Sequence, residues 1–146
     1  MKHVIRRATA GDADLVRTLF RAYEAELDID LSFQDFETEL SDPLGFYELV
    51  LLAADRGCVA LRMLDETVCE LKRLYVVPAA RGTGLGHVLT EAAIAHARAR
   101  DYERMRLDTL PSMAAARKLY AALGFEEIEP YRFNPVDGTT FMELAL

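Results

Sequence analysis

Apolar and polar positions repeat with two different periods along this chain, and each change of period marks a new element. Leu15, Val16, Leu19, Phe20, Tyr23 and Leu27 recur at helical spacing behind a capping Thr9, which predicts a helix over about residues 10–26. The segment His3–Ala8 before it reads as a short strand. Phe33, Phe36 and Leu40 predict a second, more acidic helix, ended by Pro43 and Gly45. The pattern then becomes strand-like. Leu49–Ala54 and Val59–Leu64 are joined by the turn Asp55-Arg56-Gly57, and Val68–Val77 follows, stopped by Pro78. Short connections in series predict an antiparallel meander. Helical spacing returns with Leu85, Val88, Leu89, Ala92, Ala93 and Ala99, to about Arg100. After a strand at Met105–Leu110, Ser112 is placed to cap a helix carrying Met113, Ala116, Leu119, Tyr120 and Leu123 on one face, with Gly124 as its stop. Phe125–Ile128 and Thr139–Leu144 close the chain as two strands around the loop Asn134–Gly138. The order β-α-α-β-β-β-α-β-α-β-β predicts a mixed α/β fold (α+β mixed sheet) in one domain over residues 1–146, with a single crossover unit, Val68–Leu110.

Composition narrows the function classes. The chain has 146 residues, 51% of them apolar, enough for one domain with a real core. There are 17 Lys+Arg against 24 Asp+Glu, a net charge of −7, which argues against a nucleic-acid partner. That charge is segregated. Residues 22–55 hold ten acidic side chains and no Lys or Arg, so the rest of the chain is +3. Such a division suits either a solvated acidic helix pair or separate places for an anion and a cation. No apolar run approaches the roughly 18–20 residues of a membrane span, and the charged N-terminus lacks the form of an export signal. Cys58 and Cys69 make neither a disulfide framework nor a metal spacing and read as small core residues. His87 and His96, nine apart, form no metal pair. These features predict a reduced, cytoplasmic protein without a membrane partner and without a metal.

The most informative segment is Arg81-Gly82-Thr83-Gly84-Leu85-Gly86, which directly follows a predicted strand and opens a predicted helix. Three alternate glycines remove Cβ atoms from the turn, so backbone N–H groups can converge on an anion where the helix dipole is positive. Arg81 adds a formal charge, and His87 lies in the first helical turn. The expected ligand is a pyrophosphate. A nucleotide P-loop needs Lys-Ser/Thr after its last glycine, but Gly86 is followed by His87 and Val88. A dinucleotide GxGxxG starting at Gly82 would need glycine where His87 stands.

The stretch from Glu70 to Gly86 resembles the acyl-CoA-binding core of the GNAT superfamily of N-acetyltransferases. Its Arg/Gln-x-x-Gly-x-Gly/Ala signature is met by Arg81, Gly84 and Gly86. The block Ala116–Phe125 is similar to the family's late helix and strand. The resemblance covers the whole chain and implies a GNAT-like acyl-CoA N-acyltransferase fold that uses acetyl-CoA as co-substrate. It implies direct acetyl transfer to a primary amine. Leu74, Tyr75 and Val76 would meet the pantetheine arm and the thioester, and residues 81–87 the phosphates. Tyr120 matches the tyrosine that protonates the departing thiolate; it also falls on the apolar helical stripe, so packing is the alternative. Glu70, eleven residues before Arg81, matches a family position for the general base; its alternative is an ion pair with Lys72 or a cross-strand cation. In a regular strand Glu70, Lys72, Leu74 and Val76 would share one face. Met113 stands where many members carry a cofactor-binding asparagine.

The resemblance implies that the acceptor enters beside the first two helices, the all-acidic stretch, so a cationic amine, on a small molecule or a protein, is expected. Phe33, Phe36 and Tyr47, with Tyr131 opposite, are candidates for its pocket or for the core. Homodimers are common in the family. The rival reading is a non-catalytic acyl-CoA sensor or interaction module with the same fold, and Met113 is the feature that favours it.

Overall fold

The structure is a computed structural model that describes residues 3–27 and 29–146, except the side chains of residues 33 and 34. A seven-stranded mixed sheet has the order β1-β2-β3-β4-β5-β7-β6. Its strands are β1 (Arg6–Arg7), β2 (Leu49–Leu52), β3 (Gly57–Met63), β4 (Val68–Val76), β5 (Arg104–Thr109), β6 (Glu126–Ile128) and β7 (Thr140–Ala145). The expected meander is present: β2, β3 and β4 pair antiparallel in series. The crossover is present too, because β4 and β5 are parallel neighbours joined through a helix.

Helices cover both faces. On one lie α1 (Ala13–Leu27), α2 (Phe36–Ser41) and α3 (Pro43–Phe46); on the other lie α4 (Leu85–Ala99) and α5 (Ala114–Ala122). Each face has its own core. Leu85, Leu89, Ala93 and Ala97 of α4 recur every four residues and pack on Val59, Leu61, Cys69 and Leu71. Val16, Leu19 and Phe20 of α1, with Phe36 and Leu40 of α2, pack on Val50, Leu52, Cys58 and Ala60.

Some boundaries differ from expectation. The strand expected over His3–Ala8 is a two-residue ladder, Arg6 and Arg7 facing Leu52 and Leu51. Thr9 does open the first helical segment, its N–H donating to Asp12 Oδ2 at 2.8 Å, but that segment begins as a 3₁₀ turn. The second helix is broken into a 3₁₀ turn over Leu31–Gln34, α2 and α3. Asp35, in the left-handed region at φ 61, separates the first two pieces, and Pro43 begins the third. The cap expected at Ser112 falls on Met113 instead, without a side-chain bond, because the turn from Leu110 to Met113 moves the helix start one residue on. Both cysteines are buried core residues; burial pushes the Cys58 thiol up to about 12, so it carries almost no thiolate at neutral pH. Among the described residues no helix is long and apolar enough to cross a membrane.

Candidate active site

The site is built where the sheet comes apart. The parallel ladder between β4 and β5 holds only from Val68↔Arg104 to Glu70↔Arg106, although β4 continues to Val76 and β5 to Thr109. Beyond Glu70 the two strands no longer pair, and a cleft of about 550 Å³ opens between the C-terminal half of β4 and the start of α5. One wall is Leu74, Tyr75 and Val76 of β4; the other is residues 112–116 and Leu119. The floor is the glycine loop at the N-terminus of α4, and Tyr23, Glu26 and Leu27 of α1 form the rim.

A bulge in β4 decides which residues face this cleft. Cys58 pairs with Tyr75 and Ala60 with Lys72, so two steps along β3 match three along β4. Arg73 adopts φ 59, a left-handed conformation uncommon for a residue with a long side chain. Regular alternation would put Glu70, Lys72, Leu74 and Val76 on one face; the bulge overturns this. Lys72 and Tyr75 lie on the α1 side with their partners Ala60 and Cys58, whereas Leu74 and Val76 pack with Leu71 toward α4.

Arg73 is held by a buried clamp. Its Nε and Nη2 donate to Glu39 Oε2 and Oε1, each at 2.8 Å, and its guanidinium lies 5.3 Å from the Phe36 ring centroid and 5.5 Å from that of Tyr23. Phe36, expected as a candidate substrate contact, is therefore core under Arg73 and lines neither the cleft nor its inner extension. Tyr47 is core as well, edge-on to Phe20. The side chain of Phe33 lies outside the described residues.

The glycine loop has the expected form. Gly82 and Gly84 sit at φ 78 and φ 83, and a Cβ built on either would project into open space. Gly82, Gly84, Gly86, Leu85, Arg81 and His87 all line the cleft. Thr83 does not line it: its hydroxyl donates to the Ala80 carbonyl at 2.6 Å. Arg81 folds across the rim, its Nε donating to the Val76 carbonyl at 2.9 Å and its Nη2 pairing with Glu26. His87 pairs with Glu91, one helical turn on. The residues present thus fit a pyrophosphate: a glycine loop at a helix N-terminus, with the Arg81 and His87 side chains beside it.

Past Leu74 and Met113 the cleft continues into an inner chamber of about 30 Å³, whose wall includes Lys72, Arg73, Asp108, Asn134 and Tyr120. Tyr120 is 4% exposed, and burial raises its phenol well above the usual tyrosine value, so it stays protonated as a donor. Lys72 is lowered to about 8, by burial first and then by the neighbouring Arg73 charge. Its Nζ lies 4.0 Å from Asp108 Oδ1, and Asn134 Nδ2 donates to Asp108 Oδ2 at 3.3 Å.

Glu70 lines neither space. It is fully buried, and Oε2 takes the Tyr131 hydroxyl and Arg132 Nη2, both at 2.5 Å, while Arg62 Nε lies 3.2 Å from Oε1. Tyr131 is correspondingly an anchor for the β6–β7 loop, packed edge-on against Phe141 and absent from the chamber wall. Sequence reasoning named Glu70 and Tyr131 separately and missed their bond. It also gave no role to Asp108, Asn134, Tyr23 or the Glu39–Arg73 clamp. A lone acidic residue in a strand was the only signal for Asp108.

The acidic segment is largely engaged within the fold. Glu26 pairs with Arg81, Glu39 with Arg73, and Glu48 with His96 and Arg100. Glu24 accepts from the Leu31 N–H, and Asp30 and Asp42 cap turns.

Comparison with known proteins agrees with this architecture. The sequence pattern of the Acetyltransferase (GNAT) family matches residues 13–125. An uncharacterized N-acetyltransferase from Schizosaccharomyces pombe is 36% identical over 145 residues, spanning 92% of this chain and 89% of its own length. An acetyltransferase from Streptococcus agalactiae superposes with a TM-score of 0.81 at 24% identity, with 98% of each chain covered. A second, from Salmonella typhimurium, was determined with its cofactor acetyl-CoA; its TM-score is 0.68 at 24% identity, over 99% of this chain and 94% of its own. With a split β4/β5 ladder, a glycine loop at its mouth and a family pattern that spans most of the sequence, this chain belongs to the GNAT acetyltransferase family.

Proposed function

We propose that the protein transfers an acetyl group from acetyl-CoA to a primary amine by direct attack in a ternary complex. The observation that carries this reading is the continuity of the glycine-loop cleft with an inner chamber that contains a buried tyrosine and a carboxylate. The loop and Arg81 would hold the pyrophosphate of the co-substrate, and Leu74, Tyr75 and Val76 would flank its pantetheine arm. The reacting amine would occupy the inner chamber. Attack forms the C–N bond and breaks the C–S bond, and the departing sulfur takes a proton from Tyr120. A backbone N–H of the split β4 edge, that of Val76 by family resemblance, would stabilise the carbonyl oxygen as it gains charge, a contribution of about 3 kcal/mol for one oriented donor. Met113 borders both spaces where an asparagine is usual, so backbone contacts would replace that amide.

Calorimetry with acetyl-CoA, CoA and NAD, followed by CoA release in the presence of amines, tests the reading. Binding of the two CoA species but not NAD, with amine-dependent thiol release, is expected. CoA binding without turnover on any amine would instead support the sensor module. Gly84→Val is expected to weaken acetyl-CoA binding by about 10-fold or more, because a β-branched residue at that left-handed φ costs about 1–2 kcal/mol or displaces the loop. An unchanged Kd would remove the loop as the phosphate site.

For Glu70 to act as base, the proton must reach it through water or after Tyr131 swings aside. Its bonds support an anchoring role, holding the β6–β7 loop against β4. Glu70→Gln is therefore expected to cost about 2–3 kcal/mol of stability and leave the pH–rate profile unshifted. A flattened rising limb would restore it as base.

A further inference from the structure

The arginine of the glycine loop is engaged from two directions. Arg81 Nε donates to the Val76 carbonyl at 2.9 Å, and its guanidinium lies 5.8 Å from the centroid of the Tyr75 ring. These two contacts come from β4 and fix the guanidinium at the mouth of the cleft. The other contact crosses that mouth: Nη2 pairs with Glu26, in the last turn of α1, which packs on the sheet face opposite to α4. Glu26 and Arg81 both line the cleft, beside Gly82, Gly84 and His87. A pyrophosphate on the glycine loop would therefore bring its negative charge up to the Glu26 carboxylate, and like charges at close range oppose binding.

Two observations separate this pair from one that holds the fold together. A carboxylate in the last turn of a helix opposes the helix dipole, so Glu26 does not serve the stability of α1. Both side chains are also close to half exposed, and an ion pair so exposed contributes little to stability. The clamp of Glu39 on Arg73 is the opposite case, with both partners buried. A weak, exposed partner is one that a stronger anion can replace.

We propose that Glu26 is a resident counter-ion that Arg81 exchanges for the pyrophosphate of the co-substrate. This rests on the acetyl-CoA reading above. The Nε bond to the Val76 carbonyl stays, so the guanidinium keeps its place while its Nη2 edge changes partner from carboxylate to phosphate oxygen. The planar fork of arginine suits either anion. Glu26, released, turns into water, and it takes the fork back as CoA leaves. Glu26 is thus a positioning residue: it acts through Arg81, holding the loop's cation at the cleft mouth, and it lowers the affinity for the co-substrate in doing so.

Calorimetry with CoA and with dephospho-CoA, which keeps the pyrophosphate and lacks the ribose phosphate, tests the exchange. Glu26→Ala is expected to lower the Kd for both ligands by about fivefold while Tm holds, a gain at the upper end for an exposed ion pair. Arg81→Gln is expected to raise both Kd values by about 10-fold. In an Arg81→Gln background the gain from Glu26→Ala should shrink below about twofold, because the carboxylate has no fork to vacate. A Kd for CoA that Glu26→Ala leaves unchanged or weakens overturns the proposal. So does a full gain that survives in the Arg81→Gln background, which would make Glu26 an opposing charge that acts without Arg81. A gain found with CoA and absent with dephospho-CoA would place the effect at the ribose phosphate and overturn it equally. Failure of the wild-type protein to bind CoA is a separate outcome that sinks the acetyl-CoA reading itself.

Discussion

Tyr120→Phe is expected to lower kcat by about 100-fold while changing the Kd for acetyl-CoA by less than about threefold. The substitution removes one hydroxyl from a ring whose packing is otherwise complete: Tyr120 is 4% exposed, with the Phe125 ring centroid 5.6 Å from its own. Phenylalanine fills the same space, so structure and cofactor affinity should persist. The lost proton donor is felt only as the C–S bond breaks. Burial holds the phenol protonated at every pH where the enzyme would work, so the wild-type profile should show no falling limb from Tyr120 below pH 10. Pre-steady-state CoA release and calorimetry on the variant separate the two effects. Full turnover in Tyr120→Phe would reduce the residue to packing.

Glu39→Ala is expected to destabilise the protein by about 3–5 kcal/mol, the usual cost of leaving a buried charge without its partner. Glu39 has no exposed surface, and Arg73 is 3% exposed, stacked between two aromatic rings. Removing the carboxylate takes away both of the 2.8 Å bonds that Glu39 accepts from the buried guanidinium. For a domain of this size the loss should appear as a fall in Tm of about 10–15 °C. The double substitution Glu39→Leu with Arg73→Met should recover much of that stability, because an apolar pair needs no compensation. Activity should not recover with it: Arg73 is the left-handed residue of the bulge, and that bulge decides which β4 side chains face the cleft. A loss below about 1 kcal/mol in the single variant would show that the pair is solvated and does not clamp the bulge.

The two variants probe different origins of the site. The glycine loop was legible from residues alone, since three glycines within five positions, between a strand and a helix, dictate a backbone that only such residues adopt freely. Tyr120 was legible by resemblance, but its alternative reading as a packing residue was also sound: it is both, buried in the α4-side core and on the chamber wall. The charge division was read correctly as a count and changed its meaning in three dimensions. Three of the acidic residues of 22–55, Glu39, Glu26 and Glu48, meet Arg73, Arg81 and Arg100 from distant parts of the chain, so part of that charge is neutralised within the fold.

By itself, the sequence determined the order of helices and strands, the single crossover and the phosphate loop. Each is a local consequence of side-chain period, turn residues or backbone freedom within a short window. Only the tertiary structure decided which side chains face the chemistry. Strand parity predicts facing only until a bulge intervenes, and the bulge at Arg73 has no signature in its own residue type. It is held by Glu39, 34 positions away, just as Glu70 is occupied by Tyr131, 61 positions away. A buried charge takes the partner that packing supplies, because leaving it unpaired in a low-dielectric interior costs more than any local preference. For that reason the pairing of Lys72 with Asp108 across the split strands emerged only once the sheet was assembled.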